Sequence, residues 1–467
     1  MSAWYVLVSL GYVLLTGAVA TYEARRIRAT GPDSITVFIV LFAVQCCLPG
    51  IVIYACLPLV DDPAPTDIDA FDRIFAAADV PAALLIVGLT AWFVFFFYVF
   101  AALGGRLLRR LLGPAPNAQR LVFTGSPLGL LMVLTFGLTL SVASFYVLGS
   151  STIERFTKLI LFRAGDKNVQ GSLLNAYGFA LTQTWAWLSV LALFVIYERR
   201  GRRLSWFLCL LFLIIFAVLG VSRRALFIPL LLIYLTLVLF DHRWRLRWLL
   251  AAAIPMLLWI AFGKELIGVV AFDRTLTDVA ERYESFSASF LRAASEIGIT
   301  VVESLGSINL LDLPTRFGVD HLLSPLRQIP TSHYWLGVLP DRIVRLSTEA
   351  FSTPEAEDIP PGLLGQMWLD FRVFGPIVWG LLMGVQMSIV QYAFAQTIRT
   401  RVAMGLFTLI TFVVALPLNT GTYDFTFSID IYALTLCIFL TFRLIRVRLP
   451  TAGALAAGAR GRVPSPA

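Results

Sequence analysis

The sequence predicts an all-α polytopic membrane protein, and three observations carry that reading. Hydrophobic residues make up 58% of the 467-residue chain and charged residues only 14%, whereas a soluble domain is nearer one-quarter charged. The mean hydropathy is +0.81. Apolar runs of about 20 residues, long enough to cross a bilayer as a helix, recur along the chain. One bundle therefore replaces the roughly three soluble domains that length alone suggests. The arginines punctuate the ends of these runs and form no single basic face. The formal charge of +8 thus argues for the lipid bilayer as a partner and against nucleic acid.

About eleven spans satisfy the length criterion, near 3–20, 35–60, 80–103, 128–148, 173–197, 204–220, 225–240, 248–266, 374–394, 403–417 and 425–443. The first ends in an Ala-Val-Ala that imitates a signal-peptidase site. No Lys or Arg precedes it, however, and Arg25, Arg26 and Arg28 follow it. A secretory signal has the opposite polarity, so this reads as a retained span with its amino terminus outside. The inner connections then carry those arginines, Arg106, Arg109, Arg110 and Arg120, then Arg199, Arg200, Arg202 and Arg203. Further on come Arg243, Arg245, Arg247, Arg399 and Arg401, and a tail with Arg443, Arg446, Arg448, Arg460 and Arg462. Against them stand only Glu23, Asp33, Glu198 and Asp241. That asymmetry is the positive-inside pattern.

Spans six and seven are short enough for a broken or tilted pair. Pro49-Gly50, Pro255 and Pro417 predict kinks, since proline removes a ladder bond and clashes with the preceding turn. Gly380 and Gly384 predict close helix packing. The five cysteines all fall in apolar segments and have no ligand-like spacing with histidine. Neither zinc nor a disulfide framework is supported, and no metal site is expected.

The chain divides into 1–266 with spans one to eight, a large extracytoplasmic loop at 267–373, and 374–445 with the last three spans. A cytoplasmic tail at 446–467 reads as disordered. Within the loop Val279, Tyr283, Phe286, Phe290, Ala294, Ile297 and Val301 recur every three or four residues, the period of an amphipathic helix that caps the bundle or lies on the bilayer. The loop before span five, from about 149 to 172, holds Glu154, Arg155, Lys158, Arg163, Asp166 and Lys167.

Arg223 and Arg224 are the most pointed candidates for chemistry. They sit in a short turn between Leu204–Gly220 and Ala225–Phe240, on the face where arginine is least expected, with Ser222 as the other polar residue. Membrane-edge charges are functional candidates by default, and guanidinium matches phosphate oxygens with its fork of donors. The outer face also holds Arg274, Arg282, Arg292, Arg316, Arg327, Arg342, Arg345 and Arg372, for most of which a salt bridge to a nearby acid is the plainer reading. Asn419-Thr-Gly-Thr-Tyr-Asp424 reads as a polar outer turn, and Asp430 as a residue facing the same cavity or pairing with an arginine.

Two further stretches, Phe317-Gly-Val-Asp-His-Leu-Leu-Ser-Pro-Leu-Arg-Gln-Ile-Pro330 and Ile359-Pro-Pro-Gly-Leu-Leu-Gly-Gln-Met-Trp-Leu-Asp-Phe-Arg-Val-Phe-Gly375, bracket Pro340 and precede a span. This order resembles the carboxy-terminal half of bacterial oligosaccharide repeat-unit polymerases, the Wzy-type O-antigen polymerases. The Ser-Arg-Arg-Ala turn at 222–225 is similar to a Ser-Arg-small motif that opens a span in that family and in O-antigen ligases. The resemblance covers roughly 204–445. Where many relatives carry an acid this chain has Gln366, and an arginine-to-glycine spacing described for some members is absent.

The resemblance implies a GT-C-like, metal-independent glycosyltransferase without a cofactor, in the bacterial inner membrane, with a periplasmic amino terminus and a cytoplasmic carboxy terminus. Its donor and acceptor are undecaprenyl-pyrophosphate-linked glycans at the outer leaflet, and a chain-length regulator is a further candidate partner. Departing pyrophosphate develops negative charge that fixed cations stabilise. Arg223 and Arg224, completed by Arg327 and Arg292, are the expected clamp. His333, Asp320 and Asp424 are the candidate bases. The related ligases use a loop histidine, a role open to His321 as well as His333. A ligase, a flippase or exporter of lipid-linked sugars, and a scaffold binding anionic lipid are the competing readings.

Overall fold

The computed structural model describes residues 2–59, 69–113, 119–151, 181–200, 223–240, 298–311, 313–327, 361–423 and 429–448. It also describes short pieces at 154–155, 158–159, 207–208, 211–212, 215, 291, 294–295 and 346–347. The protein is mostly helical. Five helices among the described residues are long and apolar enough to cross a membrane: Trp4–Thr30, Ser34–Leu59, Val80–Leu112, Pro127–Val147 and Gly362–Ala395. Shorter apolar helices at Thr184–Glu198, Arg401–Ala415 and Ile431–Thr441 fall on the expected spans 173–197, 403–417 and 425–443. Spans 204–220 and 248–266, with Pro255, lie almost wholly outside the described residues.

In chain order, α1 is Ser2–Thr30 and α2 is Ser34–Phe42, which passes through a π-helical turn, Ala43–Cys47, into α3, Leu48–Cys56. The turn precedes Pro49, whose missing N–H and bulky ring disturb the α-helical ladder. The expected kink is therefore a widened turn. Then come α4 (Asp69–Ala77), α5 (Val80–Leu112), β1 (Gln119–Gly125), α6 (Pro127–Val147), α7 (Thr182–Arg200) and α8 (Arg223–Phe240). The second half contains α9 (Ile299–Leu310), α10 (Val319–Arg327), α11 (Gly362–Phe371), α12 (Gly375–Ala395), α13 (Arg401–Ala415), α14 (Pro417–Thr420), α15 (Ile429–Thr441) and β2 (Phe442–Arg448). Pro417 opens α14 directly after α13 ends, so that proline also breaks its span.

Two groups of helices meet at α13. It packs against α2 and α12 on one side and α7 and α8 on the other. The most extensive interface joins α5 to α12, and the expected Gly380–Gly384 packing is what brings them together. A Cβ on Gly380 would stand 2.7 Å from Phe96 Cβ, and one on Gly384 would stand 2.9 Å from the Phe97 carbonyl oxygen. One turn further, Ser388 Oγ donates to the Ala101 carbonyl at 2.8 Å.

Within 267–373 the described residues join the bundle. α9 buries Thr300 through Ser307 and packs against α11, α4 and α5. Gly298, with its Cβ position 2.1 Å from Pro49 Cβ, marks the start of α9, so the expected period through Val301 crosses a helix boundary.

The basic connections gather at one end. Tyr392 Oη donates to the Gly113 carbonyl, the Arg401 amide to Glu198, and the Ser34 amide to Gln391. The helical architecture has one addition there: β1 and β2 pair antiparallel from Gln119↔Arg448 to Gly125↔Phe442. Pairing across this distance has no local sequence signal. Phe442–Arg448 mixes apolar and basic residues at the end of the expected span 425–443, and the strand takes in residues 446–448 of the tail expected to be disordered.

Candidate functional site

The end opposite the basic connections holds a buried polar cluster, assembled where α11 meets α12. Helix α11 ends at Phe371, and its last carbonyls need partners because no further turn supplies them. The Arg316 amide donates to the Leu369 carbonyl at 3.0 Å and the Phe317 amide to the Asp370 carbonyl at 3.1 Å. Arg372 Nη2 reaches back to the Leu313 carbonyl at 2.6 Å. Among the described residues Phe317 (φ 52°) and Arg372 (φ 51°) are the non-glycine residues with left-handed backbone. Each such position costs on the order of 1–3 kcal/mol, and such strain clusters at functional sites.

These stitches set a histidine on a carboxylate. His321 Nε2 lies 2.8 Å from Asp370 Oδ2. Asp370 Oδ1 accepts from Gln366 Nε2 at 2.9 Å and from the Gly318 amide at 3.2 Å. Asp370 is fully buried and the His321 side chain is 13% exposed. The imidazole stands edge-on to Trp379 (4.6 Å, 89°) and Tyr423 (5.7 Å, 88°), which stack on each other. Tyr423 Oη donates to Gln386 Oε1 at 3.2 Å, and burial pushes its phenol pKa up. Asp370 selects the tautomer of the neutral ring: Nε2 carries the proton donated to it, and Nδ1 is then the acceptor. Nδ1 and Gln366 Oε1 are buried and have no hydrogen-bond partner among the described residues.

A second ionic group adjoins the first on α10. Asp320 accepts from Arg316 Nε at 2.5 Å and Nη2 at 3.1 Å, and from Arg327 Nη1 at 3.0 Å. Asp320 in the first turn and Arg327 in the last also complement the helix dipole. Two guanidiniums thus converge on one carboxylate in the helix that carries the histidine.

Asp320 and Arg327, expected as base and clamp, are thus brought together and bound to each other. Arg223 and Arg224 open α8, and their side chains lie outside the described residues, as do Arg292, His333 and Asp424. Asp430 falls in the first turn of α15. The polar turn before Asp424 is not solvated: Thr420, Thr422 and Tyr423 are buried. Thr420 Oγ1 satisfies the Thr422 carbonyl there, which is how threonines enter a core. An Asp-x-Asp spacing stands at Asp67 and Asp69, next to α4; Asp67 and the Asp69 side chain lie outside the described residues. Among the described residues no group of three or more His, Cys, Asp or Glu is arranged to hold a metal.

Asp370 is the residue that motif reasoning passed over. Its signal was available, since it is the one acid in the apolar stretch Gly362–Ala395 and such a residue is a functional candidate by default. The fold and cluster together define a membrane-embedded helical protein with a histidine–carboxylate pair and an arginine-rich flank at one end. No protein-family model matches the chain, and no curated protein or solved structure matches it.

Proposed function

We propose that this chain is a membrane glycosyltransferase that polymerises lipid-pyrophosphate-linked oligosaccharide repeat units at the outer leaflet of a bacterial inner membrane. The observation that carries the reading is the His321–Asp370 pair, whose Nδ1 has no hydrogen-bond partner among the described residues. In the reaction a sugar hydroxyl of the acceptor attacks the anomeric carbon of the donor. The hydroxyl proton passes to His321 Nδ1 while Asp370 stabilises the imidazolium. The anomeric C–O bond to pyrophosphate breaks, and the leaving group keeps the electron pair. Its charge falls to the arginines: Arg316, Arg327 and Arg372 at the cluster, with Arg223, Arg224 and Arg292 as the further clamp. Both oxygens of Asp320 already accept from guanidiniums, so the proton-accepting role goes to His321 ahead of Asp320. Gln366 takes the place where the similar polymerases carry an acid, and it donates to Asp370 one turn later in the same helix.

The test is complementation of a strain lacking this chain with His321→Asn and Asp370→Asn. Both variants should reach the membrane in normal amount and leave single repeat units at the outer surface, with no long chains. Normal chain length from both would remove the proposal. Lipid-linked units trapped inside would indicate a flippase, and finished chains left on the lipid carrier would indicate a ligase.

A further inference from the structure

Helix α10 is built inside out. It buries Asp320, Ser324 and Arg327, which recur at i, i+4 and i+7 and so share one face. On the other side Leu322 is 75% exposed, with Leu326 beside it, and Phe317 just before the helix is 70% exposed. A helix bordering water turns its apolar stripe inward. The reverse arrangement needs an apolar surrounding.

The neighbouring backbone extends the patch. Arg316 and Phe317 are pinned to Leu369 and Asp370, and the Phe317 ring meets Phe371 at 6.5 Å. Val373 and Phe374, immediately after, are exposed. Phe374, Leu381, Val385 and Ile389 are all exposed and recur at helical spacing along α12, so the patch continues an apolar stripe on a helix of membrane-crossing length. With its 21 residues, α12 is about 31 Å long, close to the roughly 30 Å hydrocarbon thickness. The patch therefore stands where that thickness ends. The amides of Arg316, Phe317 and Gly318 are satisfied within the protein, as hydrocarbon requires of a polypeptide backbone.

We propose that the Phe317, Leu322, Leu326, Val373 and Phe374 face is immersed in bilayer hydrocarbon, so that Val319–Arg327 is a membrane-edge helix and not part of an aqueous loop. The occupant of the face is the acyl chain of a membrane lipid. The argument rests on the fold and goes beyond the transferase reading. One consequence is that the His321–Asp370 pair has a lipid flank on the α10 side.

The experiment places a benzophenone side chain at Leu322, Leu326, Leu381 or Glu154 of the full chain, reconstituted in phosphatidylcholine and phosphatidylglycerol vesicles with labelled acyl chains. Leu381 lies on the α12 stripe and Glu154 is a solvated reference. Illumination should attach lipid at Leu322 and Leu326 as it does at Leu381, about tenfold above Glu154. Adducts from Leu322 and Leu326 with another stretch of protein, or no lipid adduct where Leu381 gives one, would overturn the proposal. No glycan is present in the assay, so its outcome is independent of the transferase reading.

Discussion

Arg26 and Arg327 are both guanidiniums held by buried carboxylates, at opposite ends of the same bundle, and their surroundings differ in kind. Arg26 donates to Glu23, to Asp33 at 2.5 Å and to Thr36 at 2.6 Å, while Tyr98 Oη closes the remaining side of Glu23 at 2.9 Å. Most partners come from one hairpin, α1 to α2, where Asp33 also forms a capping box with Thr36. Arg327 belongs to a cluster drawn from segments about fifty residues apart, with left-handed backbone at two bulky residues and a ring nitrogen left as an acceptor. Local hydrogen-bonded networks rigidify a fold, whereas left-handed backbone at bulky residues clusters at active sites and ligand clamps. The first cluster holds a corner of the fold; the second is the one to which the proposed transfer assigns its chemistry.

Substitution should separate the two. Asp370→Asn keeps the volume and the hydrogen bonds from Gly318, and it should lower transfer by about 10²–10⁴ with little change in thermal stability. A comparable loss of melting temperature would make the second cluster structural too. Arg26→Met should do the reverse. Removing one partner of a buried ionic group costs on the order of 3–5 kcal/mol, read as a lower unfolding temperature in detergent, while activity per folded molecule stays normal. A smaller loss is expected from Gly384→Leu, about 1–3 kcal/mol of overpacking, because the Phe97 carbonyl leaves no room; unchanged melting would mean that α5 and α12 separate readily. The least effect belongs to the solvated end of α6. Lys158, then Ser150, hold the Glu154 carboxyl at about 2 against an ordinary 4.5. That lowered value contributes stability above the ordinary pKa and is lost as pH falls towards the lower one. The protection of the Ser150 amide, which donates to Glu154 at 2.8 Å, should fall over that window when its exchange is measured against the intrinsic rate at each pH.

Much of the architecture was legible because burial in lipid imposes a length and a composition on each span. The Trp4–Thr30, Ser34–Leu59, Val80–Leu112, Pro127–Val147 and Gly362–Ala395 helices follow from apolar runs. Pro49, Pro417, Gly380 and Gly384 act through rules local to a few residues. The cluster was only half legible. His321, Asp320 and Arg327 stand out as polar residues in the stretch Phe317–Pro330, but their pairing depends on where α11 ends and which carbonyls it leaves open. Asp370 was hidden inside a hydrophobic run that reads as packing. Nothing local in Gln119–Gly125 points to Phe442–Arg448, since partner choice between distant strands is a tertiary decision.

That last pairing has a consequence for synthesis. Thr124 Oγ1 bonds a carbonyl 319 residues further along the chain. At roughly 5–20 residues per second of translation, β1 emerges tens of seconds before its partner. Until then the edge of Leu121, Val122 and Phe123 that faces β2 stands unpaired, the kind of surface that invites association with the wrong chain. A nascent copy of this protein has a vulnerable interval built into its chain order, lasting from the synthesis of residues 119–125 until β2 arrives.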